Sequence, residues 1–367
     1  MLDAPDYKEN THSMLTVERV IIAILGVAAL MVIHEAGHLL AARAFGLRVV
    51  RFSIGFGPSV WKHKPKGSDT VYQIALIPFL AYVQVAGMNP FEENDPEDKG
   101  SYANASLTAR ISTVVGGPLA NYLFASVIYF GALMAFGKPV VPDIDTLEPV
   151  MKVMPDGAAS KAGMKDGDRI IGIEGKALTN FKQVRDAVVP NAEKQLAFKV
   201  LRDGKEVELE ITPARKTDDE GNEIGLVGVT PLTERKFESI SMAGAVSEAV
   251  AMPALVVRNL VVGLATMIRK RVTPDVSGPL GIVKEVARAA ELGPFDTLRL
   301  LAALSAYLGG FNLLPVPALD GGRLMFLGYE LVARRKPNAK MEAQIHAVGL
   351  LLFLALIAVV TIGDIQK

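Results

Sequence analysis

From about Thr16 to Ala42 the chain runs almost without interruption through apolar residues, enough for a helix to cross roughly 30 Å of hydrocarbon. Near its C-terminal end the run carries His34, Glu35 and His38. Ionisable groups are costly inside a membrane-length segment and mark function there by default. On a helix, residues four apart share a face, so His34 and His38 can grip one metal ion together. Glu35 sits beside that ion, where it could take a proton from water. With 5 His in 367 residues, a chance H-E-x-x-H is rare.

The rest of the chain fits a membrane protein. Half of its residues are hydrophobic, gathered in long blocks. The formal net charge is zero, so nothing argues for nucleic acid as a partner. With no cysteine, neither a disulfide nor a thiolate metal site is available, and a zinc ion would have to use His and carboxylate. The polar, partly acidic stretch 1–14 lacks the basic start and cleavage site of a signal peptide, so the first apolar block is expected to be retained.

Further spans are expected at about 107–136, 298–314 and 347–362. Between the first two, residues 49–87 alternate and are broken by Gly and Pro, which predicts a membrane-associated β-hairpin or small sheet with an edge that can pair with an extended peptide. Residues 89–100 read as an acidic flexible loop. Residues 139–231 read as an inserted α+β module, with short strands, two helical pieces and turns at Asp156-Gly157, Glu174-Gly175 and Asp203-Gly204. Residues 232–293 follow as a helical segment. Its run 249–268 has Arg258 near the middle and is expected to lie on the membrane surface, with a true span as the alternative. The division is thus 1–138, 139–231, 232–293 and 294–367.

Two polar residues in apolar surroundings stand out. Asn121 follows Gly116-Gly117-Pro118; it is either a helix–helix hydrogen-bonding group or a residue of the site. Asp320 closes a long apolar segment after Pro315 and Pro317. It can cap the following helix or complete a His₂-carboxylate set that leaves one position for water. His346 reads as an interfacial residue, and His12 and His63 carry no signal. Basic residues Arg43, Arg48, Arg51, Lys62, Lys64 and Lys66 follow the first span, and Arg323, Arg334, Arg335, Lys336 and Lys340 precede the last. Both loops are expected on the cytoplasmic side, with the inserted module outside.

The phrase DGAASKAGMKDGDRIIGIEGKALTNFKQV resembles the bacterial form of the PDZ domain, which implies a groove for a peptide C-terminus or a lid that filters substrates by size. HEAGH at His34–His38, GGPLAN at Gly116–Asn121, NLLPVPALDGG at Asn312–Gly322 and FSIGFGP at Phe52–Pro58 together resemble the site-2 protease family of intramembrane zinc metalloproteases, of the regulator of sigma-E protease type. The resemblance covers nearly the whole chain. It implies a polytopic α-helical protein of the bacterial inner membrane with a periplasmic PDZ domain and an active site near the cytoplasmic side. It further implies His34, His38 and Asp320 as Zn2+ ligands, Glu35 as catalytic base, and Asn312 as a substrate-handling residue; Asn121, read from its place in the second span, is the other substrate-binding candidate. The substrate would be a single-span membrane protein, an anti-sigma factor or a signal-peptide remnant. One PDZ-like module is evident where the familiar sigma-E regulator has two in tandem. A PDZ-bearing scaffold with a structural metal, and an ion transporter using the intramembrane His and Asp, are the rival readings. A structural zinc site takes four protein ligands, and three convincing ones are present; no inverted repeat supports a transporter.

Overall fold

A computed structural model describes residues 16–89, 95–140, 143–217, 222–232, 236–270 and 278–366. The expected polar N-terminal stretch, most of the tip of the acidic loop and part of the charged turn near 216–222 lie outside them. The chain forms two compact units, 1–137 with 240–367, and 138–239.

In the first unit, helix α1 (Val17–Ala44) begins where the Thr16 side chain accepts the Arg19 N–H. It ends at Gly46, whose positive φ closes the last turn. Helix α2 (Leu107–Phe136) is capped by Ser106 and stopped by Gly137, also at positive φ. The two helices touch backbone to backbone: a Cβ added at Gly37 would lie 2.2 Å from the Gly116 carbonyl oxygen. The small residues of HEAGH and GGPLAN therefore set the distance between the helices.

Strands β1 (Val49–His63) and β2 (Val71–Val85) follow α1 in the chain and double back on themselves. Residues 51–54 are flanked on one side by 81–84 and on the other by 71–74, while 59–63 pair with 72–75. Gly55 and Gly57, with φ of 93° and 92°, make the bend, and a Cβ at Gly55 would lie 2.8 Å from the Ala75 carbonyl oxygen. The expected hairpin is thus a small four-segment sheet. Val49, Phe52 and Val85 from its inner face join Leu39, Ala42, Val114 and Leu327 in one core. Phe56, Val60, Trp61 and Leu76 remain exposed on the other side.

Two short helices, α3 (Ala158–Lys161) and α4 (Phe181–Val188), belong to the second unit. The first unit resumes with α5 (Met242–Lys270), α6 (Pro279–Leu292), α7 (Pro294–Asn312), α8 (Asp320–Ala333) and α9 (Ala339–Gln366). Among the described residues, four helical stretches are long and apolar enough to cross a membrane: Val17–Ala44, Leu107–Phe136, Met242–Met267 and Ala339–Gly363. The number matches the expectation; the identity of the third does not. Residues 249–268, expected on the membrane surface, lie within α5, a continuous helix of 29 residues that Pro253 does not interrupt. Its length and apolar content meet the requirement of the alternative, a true span, and are equally those of a helix on the membrane surface. The expected third span is instead α7, only 19 residues long, which carries Asp296 and Arg299 in its first turns. α7 packs through Ala302 and Ala306 against Ala125 of α2. The Arg19–Glu291 ion pair and the Phe136–Phe295 ring contact bring the start of α1, the end of α2 and the start of α7 to one end of the unit.

The second unit holds a four-stranded antiparallel sheet, 176–177, 169–173, 196–202 and 205–211 in spatial order, over a core of Met151, Ile170, Val184, Phe198, Val200 and Ile211. Its hairpins turn at Glu174-Gly175 and Asp203-Gly204, all four residues at positive φ, the two-residue turn that matches strand twist. Asp168 is buried and takes a bidentate bond from Arg202 at 2.7 and 2.8 Å. Burial alone would raise its pKa. The Arg202 bonds and the Lys165 N–H outweigh burial and hold it below the usual carboxylate value.

Candidate metal centre

His34 and His38 lie on the face of α1 turned to α2, both buried. Asp320, the first residue of α8, reaches them from the other side. Its Oδ2 is 3.1 Å from His34 Nε2 and 3.4 Å from His38 Nε2, and the two Nε2 atoms are 3.2 Å apart. Ligand atoms about 2.0–2.1 Å from a tetrahedral zinc ion stand roughly 3.3 Å from each other. The three atoms form a triangle of that size. Asp320 Oδ2 is also buried without a hydrogen-bond partner among the described residues. A buried anionic oxygen in that position needs a cation. The donor set of two imidazoles and a carboxylate suits zinc, and with three protein ligands it leaves a fourth position open.

The remaining imidazole nitrogens are tied to α2. His38 Nδ1 lies 2.8 Å from the Thr113 carbonyl oxygen, which fixes the proton on Nδ1 and leaves Nε2 free. Pro118 has no N–H to give to the Val114 carbonyl next door. His34 Nδ1 lies 3.2 Å from the Asn121 amide nitrogen, while Asn121 Oδ1 is buried without a partner among the described residues. The amide can be turned over, since its O and N are told apart only by their partners. Oδ1 then accepts the His34 Nδ1 proton, and His34 Nε2 is free in the same sense as that of His38.

Three glycines make room. A Cβ at Gly117 would meet His38 Nε2 at 2.4 Å and His34 Cε1 at 2.9 Å. Cβ atoms at Gly321 and Gly322 would strike the carbonyl oxygens of Leu314 and Val316 at 2.1 and 2.6 Å. The GG pairs of both motifs are thus packing requirements around the three ligand atoms.

Glu35 lies next to His34 and points to the sheet, where its Oε2 accepts the Val83 N–H at 2.9 Å. Of the six residues singled out from sequence, the structure brings His34, His38, Asp320 and Asn121 together and puts Glu35 alongside. Asn312, the last residue of α7, donates from Nδ2 to the Leu308 carbonyl one turn back. Sequence reasoning missed Thr113, a carbonyl contact that no residue type announces. It also missed Val83, which acts through its backbone.

The sequence profile described as "Peptidase family M50" matches residues 22–356. The zinc metalloprotease RasP of Geobacillus kaustophilus is 30% identical, over 96% of this chain and 99% of its own length. The regulator of sigma-W protease RasP of Bacillus subtilis is 28% identical, over 96% of this chain and 99% of its own.

Proposed function

The chain belongs to peptidase family M50, and on that premise we propose that it is a zinc-dependent endopeptidase of membrane proteins that cleaves within the lipid bilayer. The observation that carries this reading is the ligand triangle of His34, His38 and Asp320 with Glu35 beside it, about 26 Å along α1 from its start and about 15 Å from its end. That depth is inside the hydrocarbon yet near enough to one surface for water to enter.

Bound zinc would supply the Lewis acid that polarises a peptide carbonyl and lowers the pKa of water. His34, His38 and Asp320 would hold it. Asn121 and the Thr113 carbonyl orient the two imidazoles, and Gly117 leaves space for them. Glu35 is the proton carrier in this reading. Oε2 rests on the Val83 N–H, and Oε1 takes a proton and returns it to the leaving amine nitrogen.

The substrate would be the membrane segment of a single-span protein. Its helix must unwind, and each freed backbone group in lipid costs several kcal/mol. Segment 81–85 lies at the outer edge of the sheet and touches Glu35 through Val83, so it can accept those groups as an added strand beside the centre. The name of the Bacillus relative ties it to a sigma factor. By analogy, an anti-sigma factor is the substrate class we favour here, with signal-peptide remnants second. The insert 138–239 reads as a PDZ-type module. A cavity of about 640 Å³ lined by Met154, Gly157, Lys161, Leu226 and Gly228 supports a peptide-binding role.

The same reading puts the centre toward the cytoplasmic side of a bacterial inner membrane and the insert on the outer side. Two basic groups argue for it. One follows α1; the other lies between α8 and α9, where Lys336 donates to the Ala103 carbonyl just before α2 at 2.7 Å. The insert leaves from the opposite end of α2, at Gly137.

The test is zinc content. Purified in detergent, the wild type should carry about one zinc per chain and Asp320→Ala well below that. Full zinc in Asp320→Ala would overturn the ligand assignment.

A further inference from the structure

Asp320 reaches the centre from a loop that does not hold itself. Residues 313–319 join α7 to α8 through Pro315 and Pro317, and at Ala318 the backbone is left-handed, with φ of 76°. An alanine is strained there, and the surroundings must impose the conformation. They also fix where Asp320 points, two residues on.

The surroundings in question are α9. The Ala318 N–H donates to His346 Nδ1 at 3.0 Å. One turn further on the same helical face, Gly349 lies so close to the loop that an added Cβ would come within 2.3 Å of Pro317 Cβ. The two contacts grip neighbouring residues. A backbone N–H can only donate, so Nδ1 is the bare nitrogen and the ring proton is on Nε2. Nε2 is buried without a partner among the described residues, so the imidazole's hydrogen bonding there is the bond it accepts from the Ala318 N–H. The Phe326 ring, from α8, packs on the imidazole at 5.6 Å.

We propose that α9, through His346 and Gly349, clamps the Ala318 turn and so sets Asp320 at ligand distance from His34 and His38. His346, expected at sequence level to be a mere interfacial residue, is then a positioning residue for the metal centre and not a ligand. The inference rests on the reading of His34, His38 and Asp320 as the metal set.

The experiment is a chelator titration of full-length, zinc-loaded protein in detergent, with thermal unfolding of the metal-free forms recorded alongside. Wild type, His346→Leu, His346→Asn, Gly349→Ala and Asp320→Ala are compared. Asn keeps an acceptor near the place of Nδ1; Leu does not. His346→Leu and Gly349→Ala should bind zinc roughly tenfold or more weakly, as for other groups that orient ligands. His346→Asn should recover most of that loss, and the metal-free unfolding midpoints of the two His346 variants should agree. Zinc held by His346→Leu and Gly349→Ala as tightly as by wild type, while Asp320→Ala loses it, would overturn the clamp. So would equal losses in His346→Leu and His346→Asn. If Asp320→Ala itself keeps its zinc, the metal reading fails, and the clamp fails with it.

Discussion

Each imidazole of the centre has one nitrogen for a metal and one for the fold. His38 spends its second nitrogen on a carbonyl of α2, His34 on Asn121. Removing the second partner should loosen the first bond. Asn121→Ala should weaken zinc binding about 10- to 100-fold, measured by competition with a chelator; unchanged affinity would return Asn121 to a packing role. Gly117→Ala should be more severe, because its methyl would occupy the space of His38 Nε2. A stoichiometric zinc content in that variant would contradict the geometry. His34, Glu35 and His38 were readable because helical spacing alone puts i and i+4 on one face. Asp320 was readable as a helix cap or as the carboxylate that completes a His₂-carboxylate set, and the H-E-x-x-H motif is what favoured the second. The choice between the two readings of Asn121 depends on which helix it faces, and one sequence does not contain that. His346 escaped for a similar reason: its partner is the backbone of Ala318, and an alanine gives no sign in the sequence of a left-handed φ.

At the scale of elements, the sheet of β1 and β2 is more than a membrane-dipping hairpin. Its edge segment touches Glu35 through a backbone N–H, so a change there need not touch the metal. Val83→Pro removes the N–H that holds Glu35 Oε2 and disrupts the edge on which a substrate strand would add. Zinc content should stay at the wild-type level while cleavage falls at least tenfold, on the order of the loss of a backbone hydrogen bond in a reacting complex. Cleavage at the wild-type rate would sink the strand-addition idea. The alternation of 49–87 predicted strands, and strands formed. The doubling back did not show, because Gly55 and Gly57 read as breaks and not as a turn into a second pair of segments. The third long apolar helix, α5, was legible as a helix, with both a surface position and a span compatible with its pattern. Arg258 stands near the middle of α5, and Asp296 and Arg299 stand in the first turns of the shorter α7.

For the whole molecule the account makes two further claims. The absence of cysteine makes single-cysteine labelling direct. In inverted and right-side-out vesicles, Lys64→Cys should react from the cytoplasmic face and Asp203→Cys from the opposite one. Labelling of both from one face would contradict the orientation. The insert should also show its own acid sensitivity. The folded pKa of Asp168 is depressed, so its stabilising contribution is complete above the unfolded value of about 3.9 and is lost as pH falls through the lower folded value. Hydrogen exchange across 138–239 should accelerate in that window in the wild type. Asp168→Asn, destabilised by about 2 kcal/mol at neutral pH, should show a smaller change. Equal pH dependence in both would remove Asp168 from the explanation.

The most direct test of the central claim is cleavage of a single-span model substrate by zinc-quantified protein in detergent, wild type against Glu35→Gln. The account predicts equal zinc in both and cleavage by the wild type alone. Equal cleavage by both would contradict it, because Glu35 would then carry no proton and the chemistry assigned to this centre would have no base.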